Sequence, residues 1–331
     1  MPLLTATNLS KAFGANDIFA GLTFSIPERA RIAIVGPNGI GKTTLLRILA
    51  GLEEPSSGSV HRARGLRLGY LPQEATQVNR VAAQLDEVLQ DWRERSLREI
   101  TYLYLDARYE KVREAKQVRN AAVLVATGIT PQGERQVLGV SVSLSEHETH
   151  WKAFLKSLKA RGMNGVKLVI SDDHEGLGAA RRAILGSVPW QRCQFHLQQD
   201  AGAYVPKQAM RVEVAADIRA MFNAPDRRTA EEFLQAAIQK YARSAPRLSA
   251  WMEENLTEGF TVFDFPLEHR RMIRTTNSLE RVNKEIRRRT RVVGVFPNEA
   301  SCLRLVSALL MEISEEWQIG KHFCTSKSLN C

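Results

Sequence analysis

Thr101-Tyr102-Leu103-Tyr104-Leu105-Asp106 is an apolar, aromatic-rich stretch that ends in a carboxylate. Aromatic and aliphatic residues in a short run of this kind, bounded by polar residues, predict a buried strand. Val166-Lys167-Leu168-Val169-Ile170-Ser171-Asp172 has the same design further along the chain. We therefore expect two strands that each end in an aspartate.

The segments between the two stretches set the order of the elements. Residues 118–127 and 135–143 are two more strand-like runs, separated by the turn-forming Pro131-Gln132-Gly133, and residues 151–158 have helical spacing. The resulting order is three strands, a helix, a strand and a helix. This order resembles that of RNase H-like domains, so we predict an α/β fold built on an RNase H-like mixed sheet.

Four motifs carry a more specific resemblance. In chain order they are residues 104–113, 171–177, 190–196 and 275–281, which read YLDARYEKVR, SDDHEGL, WQRCQFH and TTNSLER. Over about residues 80–320 the chain resembles the Mutator-type insertion-sequence transposases of bacteria. The resemblance implies a DDE catalytic triad of Asp106, Asp172 and Glu280, with an all-helical insertion between its second and third members. It also implies DNA strand cleavage and strand transfer, with transposon ends and target DNA as partners, by an enzyme that is a homo-oligomer when active.

The reaction explains why these residues are carboxylates. Hard cations prefer carboxylate oxygens, and two Mg²⁺ or Mn²⁺ ions about 4 Å apart can activate an attacking oxygen and stabilise a leaving one. We expect Asp106 to bridge both ions, and Asp172 and Glu280 to complete one site each. A single acidic residue at a strand end is more typical of a solvated or helix-capping position, and the joint order of the motifs favours the catalytic interpretation. Asp173 is the alternative to Asp172 as the metal ligand.

A basic strip follows the third carboxylate. In a helix predicted over residues 277–289, the inward face consists of Leu279, Val282 and Ile286. Glu280 shares a neighbouring face with basic residues at i+4 and i+7. The net charge of +10 indicates an anionic partner. The residues expected to bind the DNA backbone are Lys284, Arg287, Arg288, Arg289 and Arg291. Without the adjacent carboxylate, such a charge run is as often a solvated face.

Cys193 and His196 have the short spacing of half a zinc site. No second ligand pair with matching spacing follows them, so we do not expect a structural zinc ion. The family resemblance marks both residues, together with His174, as motif residues that support the active site. Trp190 could stack on an extruded base, although filling the core is the more ordinary role for a tryptophan.

The N-terminal part contains a different motif. Gly36-Pro37-Asn38-Gly39-Ile40-Gly41-Lys42-Thr43-Thr44 has the pattern of a phosphate-binding P-loop, and the apolar run Ile32-Ala33-Ile34-Val35 before it predicts a buried strand. Over residues 1–74 the chain resembles the start of an ABC-type ATPase domain of the ABC-F-like group. The resemblance implies an adenine-stacking Phe13 and a Q-loop Gln73. The nucleotide-binding residues would be Phe13, Gly36, Asn38, Gly39, Gly41, Lys42, Thr43, Thr44 and Gln73.

The remainder of an ATPase domain does not follow. Leu144-Ser145-Glu146-His147-Glu148 begins like an ABC signature but lacks its glycines, and about 75 residues are too few for such a domain. We predict a truncated fragment that binds ATP weakly and does not hydrolyse it, fused to the transposase near residues 75–82. The fragment takes the place of the expected N-terminal DNA-recognition region, so recognition of the element's ends should be impaired. The alternatives are an ATP-binding regulatory protein with a vestigial transposase domain and a non-functional fusion product.

The predicted domains are a truncated ATPase fragment (1–76), a junction with a helical lead-in (77–98), an RNase H-like core (99–196), a helical insertion (197–274), C-terminal catalytic helices (275–320) and a tail (321–331). No apolar stretch approaches the roughly 18 residues of a membrane span, and the start has no basic region followed by an apolar run. The four cysteines are scattered, which fits a reducing compartment. We expect a cytoplasmic protein without a membrane partner.

Overall fold

The structure is a computed structural model, and it describes residues 2–14, 16–28, 30, 32–37, 39–66, 68–70 and 75–319. Side chains are described for all of these except residues 75–84, 318 and 319. The chain divides into two compact units, Met1–Gln84 and Leu85–Cys331, and each unit has its own hydrophobic core.

The first unit is built around a three-stranded antiparallel sheet. Its strands are β1 (Pro2–Phe13), β2 (Asn16–Pro27) and β3 (Ser57–Arg62), in the order β2-β1-β3. Helix α1 (Lys42–Ala50) packs its apolar side on this sheet. The buried residues of this core are Leu4, Ala6, Leu9, Leu45, Ile48 and Leu49. Their removal from water holds the helix on the sheet.

The strand predicted before the P-loop sequence is absent. Residues 32–37 form neither strand nor helix, and Val35 is 91% exposed. The sheet of this unit consists, among the described residues, of β1, β2 and β3 alone, so no neighbouring strand buries the apolar run. The prediction was wrong because a short apolar run forms a strand only where the fold supplies a partner for its backbone.

A five-stranded mixed sheet forms the centre of the second unit. After helix α2 (Ala75–Glu94), its strands are β4 (Tyr102–Glu114), β5 (Gln117–Ile129), β6 (Arg135–Ser143), β7 (Leu168–Ser171) and β8 (Trp190–Arg192), in the order β6-β5-β4-β7-β8. β4, β5 and β6 are antiparallel neighbours, whereas β7 and β8 run parallel to β4. The predicted α/β fold with a mixed sheet is confirmed.

Two details of the strand prediction are corrected. Asp106 does not end β4, because the strand continues to Glu114 and pairs with β5 along its whole length. The polar residues after Asp106 do not match the pattern of a buried strand, which hides this extension. β8 lies inside a motif that was not assigned to a strand, since three residues are too few to reveal a period.

Helices α3 (Glu148–Ala160) and α4 (Glu175–Leu185) cover one face of the sheet. Their buried side chains, which include the fully buried Trp151, share a core with Leu124 and its neighbours on the same face. Alternate residues such as Val123 belong to the core on the opposite face. Residues 121–129 of β5 are all buried, so this strand is covered on both sides.

A helical insertion separates β8 from the last two helices. It comprises α5 (Gln194–Ala203), α6 (Arg211–Phe222), α7 (Arg227–Tyr241), α8 (Pro246–Asn255) and α9 (Leu267–Ile273), with short 3₁₀ turns at Gln208–Met210, Leu256–Gly259 and Thr261–Asp264. Asp226 caps α7 by accepting a hydrogen bond of 2.8 Å from Thr229 N–H. Pro246 begins α8, where a missing backbone N–H costs little.

The chain then returns to the valine-rich face of β5. Helix α10 (Asn277–Thr290) buries Leu279, Val282 and Ile286 there, which is the inward face predicted from their spacing, and α11 (Glu299–Ile319) packs beside it. The third carboxylate of the predicted triad thereby lies on a helix fixed to the sheet. Within the described ranges, none of the helices combines the length and apolar character needed to cross a membrane.

A buried hydrogen bond ties the insertion to the sheet. Tyr102 Oη in β4 lies 2.7 Å from His269 Nδ1 in α9, and the two rings meet edge to face with centroids 5.7 Å apart. Tyr102 is 2% exposed and His269 1%. Burial lowers the pKa of His269 below its ordinary value of 6.5, so the folded state favours the neutral imidazole.

We expect Tyr102→Phe to lower the free energy of unfolding by about 1–2 kcal/mol, because it deletes a buried hydrogen bond and changes the packing little. Urea denaturation of the full chain, followed by tryptophan fluorescence, measures this difference. Tyr204→Phe is the matched control, since Tyr204 is 37% exposed and stacks on Trp251 through its ring. Equal stability of Tyr102→Phe and the wild type would show that the hydrogen bond contributes nothing.

The lowered pKa of His269 leads us to expect that the free energy of unfolding depends on pH. Its pKa in the folded state lies below the unfolded value of 6.5, so the unfolded state binds a proton more readily as the pH falls. The contribution of His269 is complete above the unfolded pKa and is lost as the pH falls through the folded pKa. We expect the difference in unfolding free energy between the wild type and His269→Gln to shrink from about pH 7.5 to about pH 5. A difference that grows over this range would contradict the assignment.

Candidate active site

Asp106 and Asp172 lie on neighbouring strands at the same level of the sheet. β4 and β7 run parallel, with Tyr104 paired to Ile170. Asp106 is two residues beyond Tyr104, and Asp172 is two residues beyond Ile170. The register of the two strands therefore brings both aspartates to one region of the sheet edge. Asp172 comes directly after the end of β7, as predicted, whereas Asp106 lies within β4.

Asn283 connects Asp106 to helix α10. Its Nδ2 donates a hydrogen bond of 2.7 Å to Asp106 Oδ2, and the N–H of Ala107 donates one of 2.8 Å to Oδ1. Glu280 lies three positions before Asn283 and therefore on the same side of α10. The hydrogen bond places Glu280 one helical turn from the point where α10 contacts Asp106.

His196 lies among the three carboxylates. Its Nδ1 is 3.8 Å from Asp172 Oδ2. Cys193, His196 and Glu280 each contribute one ligand atom to a group whose members lie within 4.8 Å of one another. Asp106 is near enough for its charge to raise the pKa of His196. The structure thus places Asp172 and Glu280 beside one imidazole of α5, and the charge of Asp106 acts on the same imidazole.

Burial and charge shift the pKa values of these groups. Desolvation raises the pKa of Asp106 to about 6, with smaller contributions from the charges of Asp172 and Glu146. A hydrogen bond with Cys193, and then the nearby carboxylates, raise the pKa of His196 to about 9. Burial opposes ionisation of Cys193, but its hydrogen bonds with His196 and a threonine outweigh burial and lower its pKa. The protonated, positively charged form of His196 is therefore favoured beside these carboxylates.

Arg192 distinguishes Asp172 from Asp173. Its side chain is 6% exposed and lies 3.3 Å from Asp173, and it pairs with two carboxylates of the helical insertion at 2.8 and 3.0 Å. Asp173 is thus held in an ion-pair network that joins the loop after β7 to the insertion. Asp172 Oδ1 accepts a hydrogen bond of 2.8 Å from the N–H of Asp173, and its Oδ2 faces His196. This geometry favours Asp172 as the candidate metal ligand.

Glu146 is a buried carboxylate that the sequence analysis missed. Its side chain is 8% exposed and accepts hydrogen bonds from Tyr109 Oη at 2.7 Å and Trp151 Nε1 at 3.3 Å. His174 Nδ1 lies 3.4 Å from the same carboxylate, so His174 contacts this residue. Its sequence signal is an acidic residue between a strand and a helix, in a segment that begins like an ABC signature.

Basic residues line an open cleft beside Glu280. The cleft has a volume of about 430 Å³, and its lining residues are Arg108, Tyr109, Glu280, Asn283, Lys284 and Arg287. Arg288 and Arg289 instead pair with Glu285 at 2.7 and 3.1 Å, and Arg291 is exposed after the end of α10. Of the basic strip, the structure therefore places Lys284 and Arg287 at the cleft.

The P-loop residues lie in the first unit. Lys42 Nζ donates hydrogen bonds of 2.7 Å to the carbonyl oxygens of Gly36 and Pro37. Gly39 and Gly41 have φ angles of 87° and 92°, a backbone conformation that favours glycine. The lysine ammonium is therefore bonded to the loop that precedes it.

The other predicted nucleotide-binding residues are dispersed or lie outside the described ranges. Phe13 ends β1 and is 52% exposed. Thr43 and Thr44 belong to the first turn of α1. Asn38 and Gln73 lie outside the described residues. The adenine-stacking role of Phe13 stays a prediction.

Comparisons with known proteins identify the second unit. Residues 69–320 match the model of a family described as "Transposase, Mutator family". The chain is 58% identical over 247 residues to the transposase for insertion sequence element IS406 of Burkholderia multivorans, covering 75% of this chain and 64% of that protein. It is 42% identical over 256 residues to the transposase for ISRM5 of Rhizobium meliloti, covering 77% of this chain and 64% of the relative.

A third relative, the transposase for IS1081 of Mycobacterium tuberculosis, is 36% identical over 258 residues, which cover 77% of this chain and 62% of that protein. The chain thus spans less than two thirds of the length of the curated relatives that it matches. The match to the family begins at residue 69, so the ATPase-like interpretation of the preceding residues stays a prediction. Because the family match extends over well more than half of the sequence, the chain belongs to the Mutator family of transposases.

Proposed function

We propose that the second unit is the catalytic part of a DDE transposase, which cleaves DNA and joins strands with divalent cations held by Asp106, Asp172 and Glu280. The observation that supports this proposal is that Asp172 and Glu280 lie beside His196 and that the charge of Asp106 acts on His196, although the three carboxylates are far apart in the sequence. The names of the relatives, transposases for insertion sequences, support the same reaction class.

The donor set fits a hard divalent cation. Asp106 and Asp172 supply carboxylate oxygens from adjacent strands, and Glu280 Oε1 is buried without a hydrogen-bond partner among the described residues. A buried carboxylate oxygen without a partner is costly, and a cation would satisfy it. When bound, two Mg²⁺ or Mn²⁺ ions would activate the attacking oxygen and stabilise the leaving oxygen.

The residues around the carboxylates hold them in position. Asn283 and the backbone N–H of Ala107 fix the two oxygens of Asp106. Glu146 anchors Tyr109 at the rim of the basic cleft through a hydrogen bond of 2.7 Å. Lys284 lies in this cleft beside Glu280, where it would contact a DNA phosphate next to the reacting bond. The proposed reaction needs no protein nucleophile.

The proposal extends to the partners of the whole protein. We propose that transposon ends and target DNA bind the basic cleft and that the active enzyme is a homo-oligomer in the cytoplasm. A nucleotide would bind the P-loop weakly, because Lys42 would first have to release two loop carbonyl oxygens. This binding is the second, less favoured role.

We expect Asp106→Asn and Asp172→Asn to reduce metal-dependent nicking of supercoiled DNA by at least about a hundredfold, because an amide cannot replace a carboxylate that neutralises a bound cation. Asp173→Asn is the matched control, since it changes the adjacent aspartate in the same way and removes only an ion pair with Arg192. Its nicking rate should stay within about threefold of the wild type. If Asp173→Asn lost nicking while Asp172→Asn retained it, the metal ligand would be Asp173 and not Asp172.

Asn283→Ala should lower the nicking rate by about 10–100-fold, because it frees the orientation of a metal-ligand carboxylate. Asn283 is a positioning residue, so the concentration of Mn²⁺ needed for half-maximal nicking should rise as well. Asn277→Ala, at the exposed start of the same helix, is the control. An unchanged Mn²⁺ requirement in Asn283→Ala would mean that the residue has only a structural role.

DNA binding should depend on the basic cleft. Neutralising Lys284 or Arg287 with alanine should reduce the slope of log affinity against log salt concentration by about 0.9 each, because each contact with duplex DNA releases one counterion equivalent. Fluorescence anisotropy of a labelled duplex at several salt concentrations measures the slope. Arg228→Ala, at a side chain 90% exposed on α7, provides the control. Equal slopes for all three variants would place the DNA elsewhere.

A further inference from the structure

A sulfur, a nitrogen and an oxygen donor meet at the start of two helices. Cys193 precedes the first turn of α5, His196 lies in that turn, and Glu280 lies in the first turn of α10. One ligand atom of each residue lies within 4.8 Å of the other two. This is the distance range in which three side chains can share one metal ion after small rotations of their side chains.

Two of these residues each have one buried polar atom without a hydrogen-bond partner among the described residues. His196 Nδ1 and Glu280 Oε1 are both shielded from solvent, and neither makes a hydrogen bond with any described residue. The 3.8 Å from His196 Nδ1 to Asp172 Oδ2 is too long for a hydrogen bond. Buried polar atoms normally have partners, and two unpaired atoms on residues whose ligand atoms lie within 4.8 Å of each other indicate a missing ligand.

The sulfur of Cys193 is oriented by hydrogen-bond donors. The backbone N–H and the hydroxyl of Thr276 both lie 3.4 Å from Cys193 Sγ. Cys193 is fully buried, and its backbone N–H donates a hydrogen bond of 2.8 Å to the carbonyl oxygen of Ser171. Donors directed at a cysteine sulfur stabilise the thiolate and are a common outer shell of metal-bound thiolates.

We propose that Cys193, His196 and Glu280 form a binding site for a thiophilic divalent ion such as Zn²⁺. A thiolate, an imidazole and a carboxylate form a donor set that Zn²⁺ and Co²⁺ accept, whereas Mg²⁺ prefers oxygen ligands alone. Asp172 Oδ2 or a water molecule would complete a tetrahedron. The spacing of Cys193 and His196 indicates only half of this set, because the third ligand lies on a helix far along the chain from this pair.

The proposed ion shares Glu280 with the proposed catalytic centre. The two sites would compete for the Glu280 carboxylate, because the hard ions held with the aspartates and the soft ion held with Cys193 and His196 would both use it as a ligand. Zn²⁺ should therefore displace catalytic ions from Glu280 and inhibit nicking. The inhibition rests on the proposed function, whereas the binding of the thiophilic ion does not.

Titration of the full chain with Co²⁺ tests the binding. The wild type should acquire a thiolate-to-cobalt charge-transfer band in the near ultraviolet, together with visible bands of tetrahedral Co²⁺, at one equivalent per chain. Cys193→Ser should lose the charge-transfer band, and Glu280→Gln should bind Co²⁺ at least about tenfold more weakly. His196→Gln should weaken binding in the same way, which supports the assignment if Cys193→Ser proves unstable.

The other cysteines provide the matched control. Cys302 is buried against the core of α10 and α11, and Cys324 and Cys331 lie outside the described residues. A variant with serine at these three positions should keep the charge-transfer band. A band that disappears in this variant, or persists in Cys193→Ser, would overturn the site.

The two proposals fail in different ways. Asp106→Asn should keep the charge-transfer band even though it loses nicking, because Asp106 is not a ligand of the proposed soft-ion site. Nicking that survives Asp106→Asn, with the cobalt bands as expected, would refute the proposed function and leave the ion site intact. Absence of the bands in the wild type, with nicking lost in Asp106→Asn, would refute the ion site alone.

Discussion

The hydrogen bond from Asn283 to Asp106 joins the central strand of the sheet to helix α10, and the geometry of the candidate site depends on this contact. The apolar face of α10 supplies most of the binding energy between them. Leu279, Val282 and Ile286 are buried, and burial of such side chains contributes roughly 1.5–3 kcal/mol each, against roughly 0.5–1.5 kcal/mol for one hydrogen bond. Packing therefore holds the helix on the sheet, and the hydrogen bond sets which polar residues face the carboxylates.

Several carboxylates share one poorly solvated region, and this imbalance of charge organises the site. The charges of Asp172 and Glu146 disfavour ionisation of Asp106, and the protein gives each carboxylate different partners. Asp106 receives two hydrogen bonds, and Glu146 receives a phenol and an indole N–H. Glu280 alone keeps a buried oxygen without a partner among the described residues. The carboxylate whose buried oxygen has no hydrogen-bond partner among the described residues is thus the one that both proposed ion sites require.

Periodicity predicts the elements whose environment is uniform and fails where the partner is remote. The inward face of α10 follows from three apolar residues at helical spacing, and the structure confirms it. The extension of β4 beyond Asp106 is hidden, because its burial changes along the strand while its pairing with β5 continues. The choice between Asp172 and Asp173 depends on Arg192, which follows an intervening helix, so no local pattern of two adjacent aspartates could make it.

A complete sequence motif does not by itself show that the surrounding structure supports a binding site. The P-loop sequence is complete, and Gly39 and Gly41 have positive φ angles, but the apolar run before it is exposed instead of buried in a sheet. A loop binds phosphate through backbone N–H groups that flanking elements hold in place, so an exposed lead-in removes part of that support. The proposed triad differs from the P-loop, because none of its three carboxylates belongs to a distinctive pattern within its own short segment. Strand register, helix packing and one amide hydrogen bond set the positions of these carboxylates, so the chemistry proposed for the second unit depends on the fold more than on any single motif.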